Sequence, residues 1–291
     1  MRWRGRRTSS NISDLRGGGG RGRRAGRRAG GLGLIGIVVL LVGFLFGVDL
    51  SPILGLMQGS GPGAPAPTQV VRGPNAIDDE TEEFIAVVLA DTEDVWAREF
   101  EKRSGRYQAP NLVLFSGSVH SACGSASSAI GPFYCPADSQ VFLDTSFFQT
   151  LEHQLGAKGD FARAYVIAHE VGHHVQNLIG VMEQTHAYRQ RASEREANAM
   201  SVRVELQADC FAGLWARGVQ EMFGVLERGD IAEAMNAASR IGDDVLQGRG
   251  GGEVVPDSFT HGTSEQRQRW FMRGFETGRM EDCNTFETDR L

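Results

Sequence analysis

Two histidines and a glutamate at close spacing form the strongest chemical signal in the chain. The segment Tyr165–Gln176 reads YVIAHEVGHHVQ and contains the pattern HExxH at His169, Glu170 and His173. Residues four apart on a helix lie on the same face, so both imidazoles can bind one Zn²⁺ ion. Glu170 would then stand beside the ion and act as general base on metal-bound water, whose pKa zinc lowers toward neutrality. The alternative is a chance pair of histidines on a buried helix.

A catalytic site with two histidines needs a third protein ligand and leaves one position open for water. The segment ELQADCFAGLWA begins at Glu205 and has Asp209 four residues later, on the same helical face. Glu205 can therefore ligate the metal, while Asp209 accepts a hydrogen bond from a ligand histidine. A solvated helix face is the alternative, but Ala, Phe and Leu continue this face. The small residues Ala208, Ala212 and Gly213 predict that two helices approach closely.

Several other residues nearer the motif could supply the third ligand. These are Glu183, His186, Glu194 and Glu196. The metzincin pattern is excluded, because it needs Gly at position 176 and His at position 179, where the chain has Gln176 and Ile179. His174 points about 100° away from His173 around the helix, which favours a supporting or packing role over ligation.

The segment SFTHGTSEQRQRWF near the C-terminus could supply a group that the site still lacks. Attack on a carbonyl develops negative charge, which a positioned imidazole can stabilise, and His261 is the candidate. A structural role is the alternative for His261. Arg267 can pair with a carboxylate near the site and orient its helix, with a surface salt bridge as the alternative.

Four cysteines are compatible with two disulfides in an oxidising compartment. Of the three possible pairings we favour Cys123 with Cys135 and Cys210 with Cys283. Four buried thiols are the alternative. Zinc held by cysteines is disfavoured, because no CxxC spacing occurs.

Hydrophobic periodicity predicts the elements that must position these residues. Long helices are predicted over 79–103, 161–178, 193–217, 231–246 and 264–277, with a short one over 146–155. Strands are predicted near 111–115 and 140–144, with an irregular loop between Cys123 and Cys135. The domain is therefore α+β and helix-dominated, with a small sheet.

The N-terminal region differs in composition from the rest of the chain. Its first thirty residues carry ten arginines and one aspartate, a charge of +9 that leaves the remainder at −15, because the whole chain is −6. Residues 29–48 are uncharged and long enough for a transmembrane helix. A cleaved signal peptide is the alternative, although its apolar run is ordinarily shorter.

These features divide the chain into a basic cytoplasmic tail at 1–28, a transmembrane helix at 29–48, a Gly/Pro/Ala-rich linker at 49–75 and a peptidase domain at 76–291. Arginines before the span place the N-terminus in the cytoplasm and the domain in an extracytoplasmic or periplasmic space. Nucleic-acid binding by the tail is disfavoured, because only Trp3 is available to stack on bases.

The chain resembles the bacterial family of Putative neutral zinc metallopeptidases, which are single-pass membrane proteins. The opening MRWRGRRTSSNISD, the loop CGSASSAIGPFYCPAD and the segments AHEVGHHVQ, ELQADCFAG and THGTSEQRQRWF carry the resemblance. The last three are also similar in layout to gluzincin peptidases. The resemblance implies a zincin-like fold, His169, His173 and Glu205 as zinc ligands and Glu170 as the catalytic base.

The predicted function is hydrolysis of peptide bonds in a peptide or protein substrate, with one zinc ion per chain. Two alternatives remain open. The chain could be a zinc-containing envelope protein that binds a partner without cleaving it, or a zinc amidase acting on cell-wall peptides. The sequence leaves substrate specificity and oligomeric state undetermined.

Overall fold

The computed structural model describes residues 1–16, 77, 79–249 and 254–291. The predicted transmembrane helix at 29–48 and the predicted linker at 49–75 lie outside these residues. Among the helices of the described part, none has both the length and the apolar character needed to span a bilayer.

The described residues form a helix-dominated α+β domain, as the sequence predicts. Its strands are β1 (Ile12–Asp14), β2 (Asn111–Phe115), β3 (Ser118–Ser121), β4 (Gly124–Ser127), β5 (Phe133–Cys135) and β6 (Gln140–Asp144). Its helices are α1 (Glu80–Glu101), α2 (Ser146–Gln149), α3 (Asp160–Leu178), α4 (Val181–Arg189), α5 (Glu194–Phe223), α6 (Asp230–Arg240), α7 (Asp243–Gly248) and α8 (Ser264–Thr277). A π-helical turn, Thr150–Gln154, continues α2.

A four-stranded sheet in the order β1-β2-β6-β5 supports the helices. The first three strands are parallel, and β5 runs antiparallel along one edge. Four of the five residues are buried in both β2 and β6, as expected for strands covered on both faces. One face packs on the helical core, and the other packs on a smaller cluster beside the β3-β4 hairpin.

Glycine and alanine set the spacing of the helices that carry the site. A Cβ atom on Gly172 of α3 would lie 3.0 Å from the carbonyl oxygen of Ala208 on α5. The missing side chain of Gly172 and the small side chain of Ala208 together therefore allow the predicted close approach of these two helices. Gly213 serves a different contact, because its missing side chain makes room for the carbonyl of Phe271 on α8.

Residues 1–16 belong to the folded domain, which corrects the predicted separation of the basic tail from a domain beginning at residue 76. Strand β1 pairs in parallel with β2. Met1, Trp3 and Ile12 are at most 5% exposed, and the Trp3 ring packs edge-on against Phe84 of α1. The apolar residues between the arginines thus enter the core.

The arginines of this segment neutralise the acidic surface of α1. Arg6 lies 2.6 Å from Asp91, and Arg7 contacts both Glu93 and Asp94. Periodicity could not reveal this role, because the pairs join residues more than eighty positions apart. The predicted placement of the N-terminus in the cytoplasm and the domain outside does not fit these contacts, since a membrane would separate the partners.

Several elements differ from the sequence prediction. The predicted helix at 231–246 is two helices, because the backbone leaves the helical conformation at Ile241 and Gly242. Helix α4, strand β5 and the β3-β4 hairpin were not predicted. Both predicted disulfides are present, Cys123 with Cys135 and Cys210 with Cys283, and they account for every cysteine in the chain.

Candidate metal centre and active site

Helices α3 and α5 bring His169, His173 and Glu205 to one point. The Nε2 atom of His169 lies 3.2 Å from one Glu205 carboxylate oxygen, and Nε2 of His173 lies 3.4 Å from the other. The two imidazole centroids are 4.7 Å apart. The three predicted ligands therefore form one group whose binding atoms all lie within 4.8 Å of one another.

This spacing suits a tetrahedral zinc ion. Ligand atoms held about 2.0–2.1 Å from such an ion lie roughly 3.3 Å from one another. The two measured contacts between imidazole nitrogen and carboxylate oxygen fall at that separation. Two imidazoles and one carboxylate are also a donor set that catalytic zinc sites use.

Asp209 contacts the candidate ligand His169 at Nδ1, the ring nitrogen that does not face Glu205. Its Oδ1 atom lies 2.9 Å from Nδ1 of His169 and also accepts a hydrogen bond from the Tyr165 hydroxyl. Arg267 donates to both carboxylate oxygens of Asp209, at 2.8 and 2.9 Å. Asp209 is completely buried and Arg267 is 2% exposed, so the predicted pairing of Arg267 with a carboxylate is an internal one.

Gln176 contacts the second candidate histidine, His173. Nδ1 of His173 lies 2.8 Å from the Gln176 side-chain oxygen. The amide nitrogen of Gln176 donates to the Val204 carbonyl and to Gln207, which in turn donates to the carbonyl of Cys283. In both histidines a partner at Nδ1 leaves Nε2 directed at Glu205, the arrangement that metal-binding imidazoles need.

Negative charge at the site favours a cation. Burial alone would lower the pKa of His169, but the charge of Asp209 and the hydrogen bonds that the ring donates to Asp209 and Glu205 outweigh burial and raise that pKa to about 10. Burial would raise the pKa of Glu205, but the neighbouring His173, His169 and His261 hold it well below its ordinary value. The carboxylates that stabilise a protonated ring would equally stabilise a metal ion beside it.

Glu170 is suited to accept a proton. It lies on α3 next to His169 and is 8% exposed. Burial raises its pKa above the ordinary value, against the opposing effect of the two histidines. A buried carboxylate with a raised pKa is a stronger base than an exposed one.

His261 lies close enough to the site to interact electrostatically with Glu205. Its ring is held by Asp243, whose Oδ1 lies 3.2 Å from Nδ1, while Asp243 Oδ2 accepts backbone N–H bonds from residues 260, 261 and 262. Burial lowers the pKa of His261, but the hydrogen bond to Asp243 and the charge of Glu205 outweigh burial and raise it. A raised pKa favours the protonated imidazole, which can donate a hydrogen bond.

The other candidate ligands lie elsewhere. Glu183, His186, Glu194 and Glu196 are all exposed. Glu196 caps the start of α5 with Ser193, and His186 bonds to Gln190. His174 is buried against the Tyr134 hydroxyl and the Gln108 carbonyl, which fits its predicted supporting role.

Comparison with known proteins decides the family. The family model described as "Putative neutral zinc metallopeptidase" matches residues 1–286. The chain belongs to this family. The match begins at residue 1, so the N-terminal segment packed in the core is part of the family pattern as well as of this fold.

Proteins of Escherichia and Mycobacterium are similar to this chain. The chain is 51% identical over 292 residues to the uncharacterized protein YpfJ of Escherichia coli K12, covering 98% of this chain and 99% of the relative. It is 46% identical over 195 residues to the uncharacterized proteins Mb2605 of Mycobacterium bovis and Rv2575 of Mycobacterium tuberculosis, covering 64% of this chain and 65% of each relative. No solved structure matches the chain.

Sequence reasoning missed three residues that support the site. Tyr165 stands one turn before His169, and Gln176 stands three residues after His173, so helical spacing could have indicated both. Asp243 carried no such signal, because its partner His261 follows eighteen residues later on another element.

Proposed function

We propose that this member of the family is a peptidase whose zinc ion is held by His169, His173 and Glu205. The observation that carries the proposal is the convergence of their three binding atoms at zinc-ligand spacing, with Glu170 adjacent. When bound, zinc supplies a Lewis acid that polarises the scissile carbonyl and acidifies water. Every other task falls to side chains of this chain.

Glu170 takes the proton from the attacking water and passes it to the leaving amine. Its raised pKa supports both steps, because the carboxyl group has to hold the proton between them. His261, positioned by Asp243, donates a hydrogen bond to the carbonyl oxygen as negative charge develops there. Asp209 and Gln176 hold the two imidazoles in position.

The test of this mechanism is Glu170→Gln in the full chain. The chain should not be cut at residue 76, because residues 1–16 are part of its core. Wild type should carry one zinc per chain and cleave a mixed peptide library, whereas Glu170→Gln should keep the zinc and lose cleavage. Glu183→Gln, which changes an exposed glutamate near the motif, is the matched control and should cleave like wild type.

The outcomes separate the proposal from its alternatives. Zinc without cleavage in wild type would favour a binding protein, and cleavage of cell-wall peptides alone would favour an amidase. Failure to bind zinc at all would refute the metal site. His261→Ala should lower kcat by about 10²–10³ with zinc content unchanged if the imidazole stabilises the oxyanion.

We also propose that the protein is attached to the cytoplasmic membrane through the apolar residues 29–48, with its domain outside the cytoplasm. The two disulfides support an oxidising compartment. The packing of residues 1–16 in the core supports an N-terminus on the same side of the membrane as the domain, so the attachment we propose does not cross the membrane.

Thiol labelling tests this arrangement, because all four native cysteines are in disulfides. Cysteine would replace Arg4, whose side chain is 72% exposed, or the exposed Glu183. A membrane-impermeant maleimide should label both variants in intact spheroplasts. Labelling at position 183 alone would show that the N-terminus faces the cytoplasm.

A further inference from the structure

A second cluster of carboxylates lies at the start of the helix that carries HExxH. Side-chain oxygens of Asp160, Asp230 and Glu233 lie within 4.8 Å of one another. Asp160 is the first residue of α3 and Asp230 is the first residue of α6. At 1.5 Å per residue, this cluster is about 14 Å along α3 from the first metal-ligand histidine.

The α-amino group of Met1 occupies this cluster. Its nitrogen lies 2.7 Å from Oδ1 of Asp160 and 3.2 Å from Oδ1 of Asp230, with the Glu227 carboxylate at 3.4 Å. The Met1 side chain is fully buried, and the whole residue is 5% exposed. The neighbouring backbone is fixed too, because the Arg2 amide donates to the Val225 carbonyl at 2.9 Å.

The carboxylates need a counter-charge at this position. Glu233 accepts a hydrogen bond from the backbone N–H of Phe161 at 3.0 Å, so it caps α3 from a neighbouring helix. The residue before α3 is Gly159, where a Cβ atom would lie only 2.0 Å from the Glu233 carboxyl group. Burial, and after it the charges of Asp160 and Asp230, raise the pKa of Glu233.

An α-ammonium group provides this counter-charge. Burial alone would lower the pKa of the Met1 amine, but the hydrogen bonds and charges of Asp160 and Asp230 outweigh burial and raise it. The group therefore stays charged at neutral pH. Clusters of carboxylate oxygens also attract calcium, yet here the nitrogen already lies at hydrogen-bond distance from two of the three side chains.

We propose that this cluster is a binding site for a free primary α-ammonium group, that of Met1. Its occupancy fixes the first turn of α3, the helix that carries HExxH. A formyl or acetyl group on Met1 would remove the positive charge, and a residue added before Met1 would displace it. Hydrolytic removal of any such acyl group has to precede docking of the N-terminus. The site acts independently of zinc and of peptidase activity.

The experiment compares two full chains released from the same cleavable fusion, one beginning at Met1 and one with a single glycine before Met1. We expect the extended chain to melt about 5 °C lower. Backbone amides at Phe161–Ala164 should exchange with deuterium about tenfold faster. The Met1 amine of the native chain should react with an amine-directed ester more slowly than the same amine in urea.

Two matched variants distinguish this site from general fraying of the N-terminal segment. Arg4→Ala removes an exposed ion pair from the same segment and should leave melting and exchange unchanged. In an Asp160→Asn, Asp230→Asn background, the added glycine should have little further effect, because the ammonium has lost its partners.

Identical melting temperatures and exchange rates in the two chains would overturn the proposal. So would a fall in melting temperature for Arg4→Ala that equals the fall caused by the added glycine. A further measurement adds calcium to the extended chain. If millimolar calcium restored the extended chain to native melting, the cluster would be a general cation site and its specificity for an α-ammonium would be refuted. Zinc content and peptide cleavage, measured in parallel, report on the metal centre separately.

Discussion

Replacing Asp209 with asparagine should cost both stability and metal affinity. The substitution keeps the shape of the side chain and removes its charge. Arg267 would then remain 2% exposed without its bidentate partner, and His169 would lose a charged acceptor. Leaving one partner of a buried ion pair uncompensated costs about 3–5 kcal/mol.

That free energy corresponds to a fall in Tm of about 6–20 °C for a domain of this size. Zinc affinity should fall by about 10–100-fold, because Asp209 orients a ligand imidazole. Urea unfolding with a chelator present isolates the stability effect from the metal. A zinc-competition titration on the folded protein then measures affinity.

Two further variants test whether the loss of stability in Asp209→Asn comes from the buried ion pair. Adding Arg267→Gln to Asp209→Asn removes both buried charges, so the double variant should lose less stability than the sum of the two single variants. Glu221→Gln breaks an exposed pair with Arg217 and should cost less than about 1 kcal/mol. A loss below about 1 kcal/mol for Asp209→Asn, or strict additivity in the double variant, would refute the buried-network reasoning.

Three further changes follow from contacts in the core. Gly172→Ala forces a methyl group against the Ala208 carbonyl and should cost about 1–3 kcal/mol in urea unfolding; an unchanged midpoint would show that α3 and α5 separate freely. Gln176→Leu removes the acceptor for His173 and should weaken zinc binding about 10–100-fold in a competition titration, whereas equal affinity would exclude that role. Burial raises the pKa of Asp91 to about 6, so the folded protein takes up a proton as the pH falls from about 6 to 4, and this group then adds to the free energy of unfolding. Asp91→Asn should lose that gain. Urea unfolding at about pH 6 and about pH 4 measures it.

The helices that carry the site could be predicted because their apolar residues recur with helical spacing over long stretches. HExxH and the pair Glu205 and Asp209 each lie within one helix, where four residues make a turn. Their meeting across α3 and α5 then required only that both apolar faces be buried together. The disulfide pairings were predicted as well, and the structure confirms them.

Contacts between distant segments could not be predicted in this way. Ile12–Asp14 is a three-residue strand beside arginines and glycines, and its parallel partner begins ninety-nine residues later at Asn111. Its composition is equally typical of a basic tail. Asp243 gives no sign of its role until the chain folds residues 260–262 around its carboxylate.

The position of Met1 also determines when during synthesis the domain can be completed. The α-amino group leaves the ribosome first, yet its partner Asp230 is 229 residues away along the chain. At about 5–20 residues per second, that partner is made roughly 11–46 s later. Helix α1 and strand β2 end by residue 115 and are made well before Asp230, so β1 and the arginines of the first segment gain their partners earlier than the α-amino group does. The α-amino group of Met1 is therefore among the last groups of the domain to reach its final place. Any factor that holds the nascent N-terminus would delay its contacts with α3 and α6.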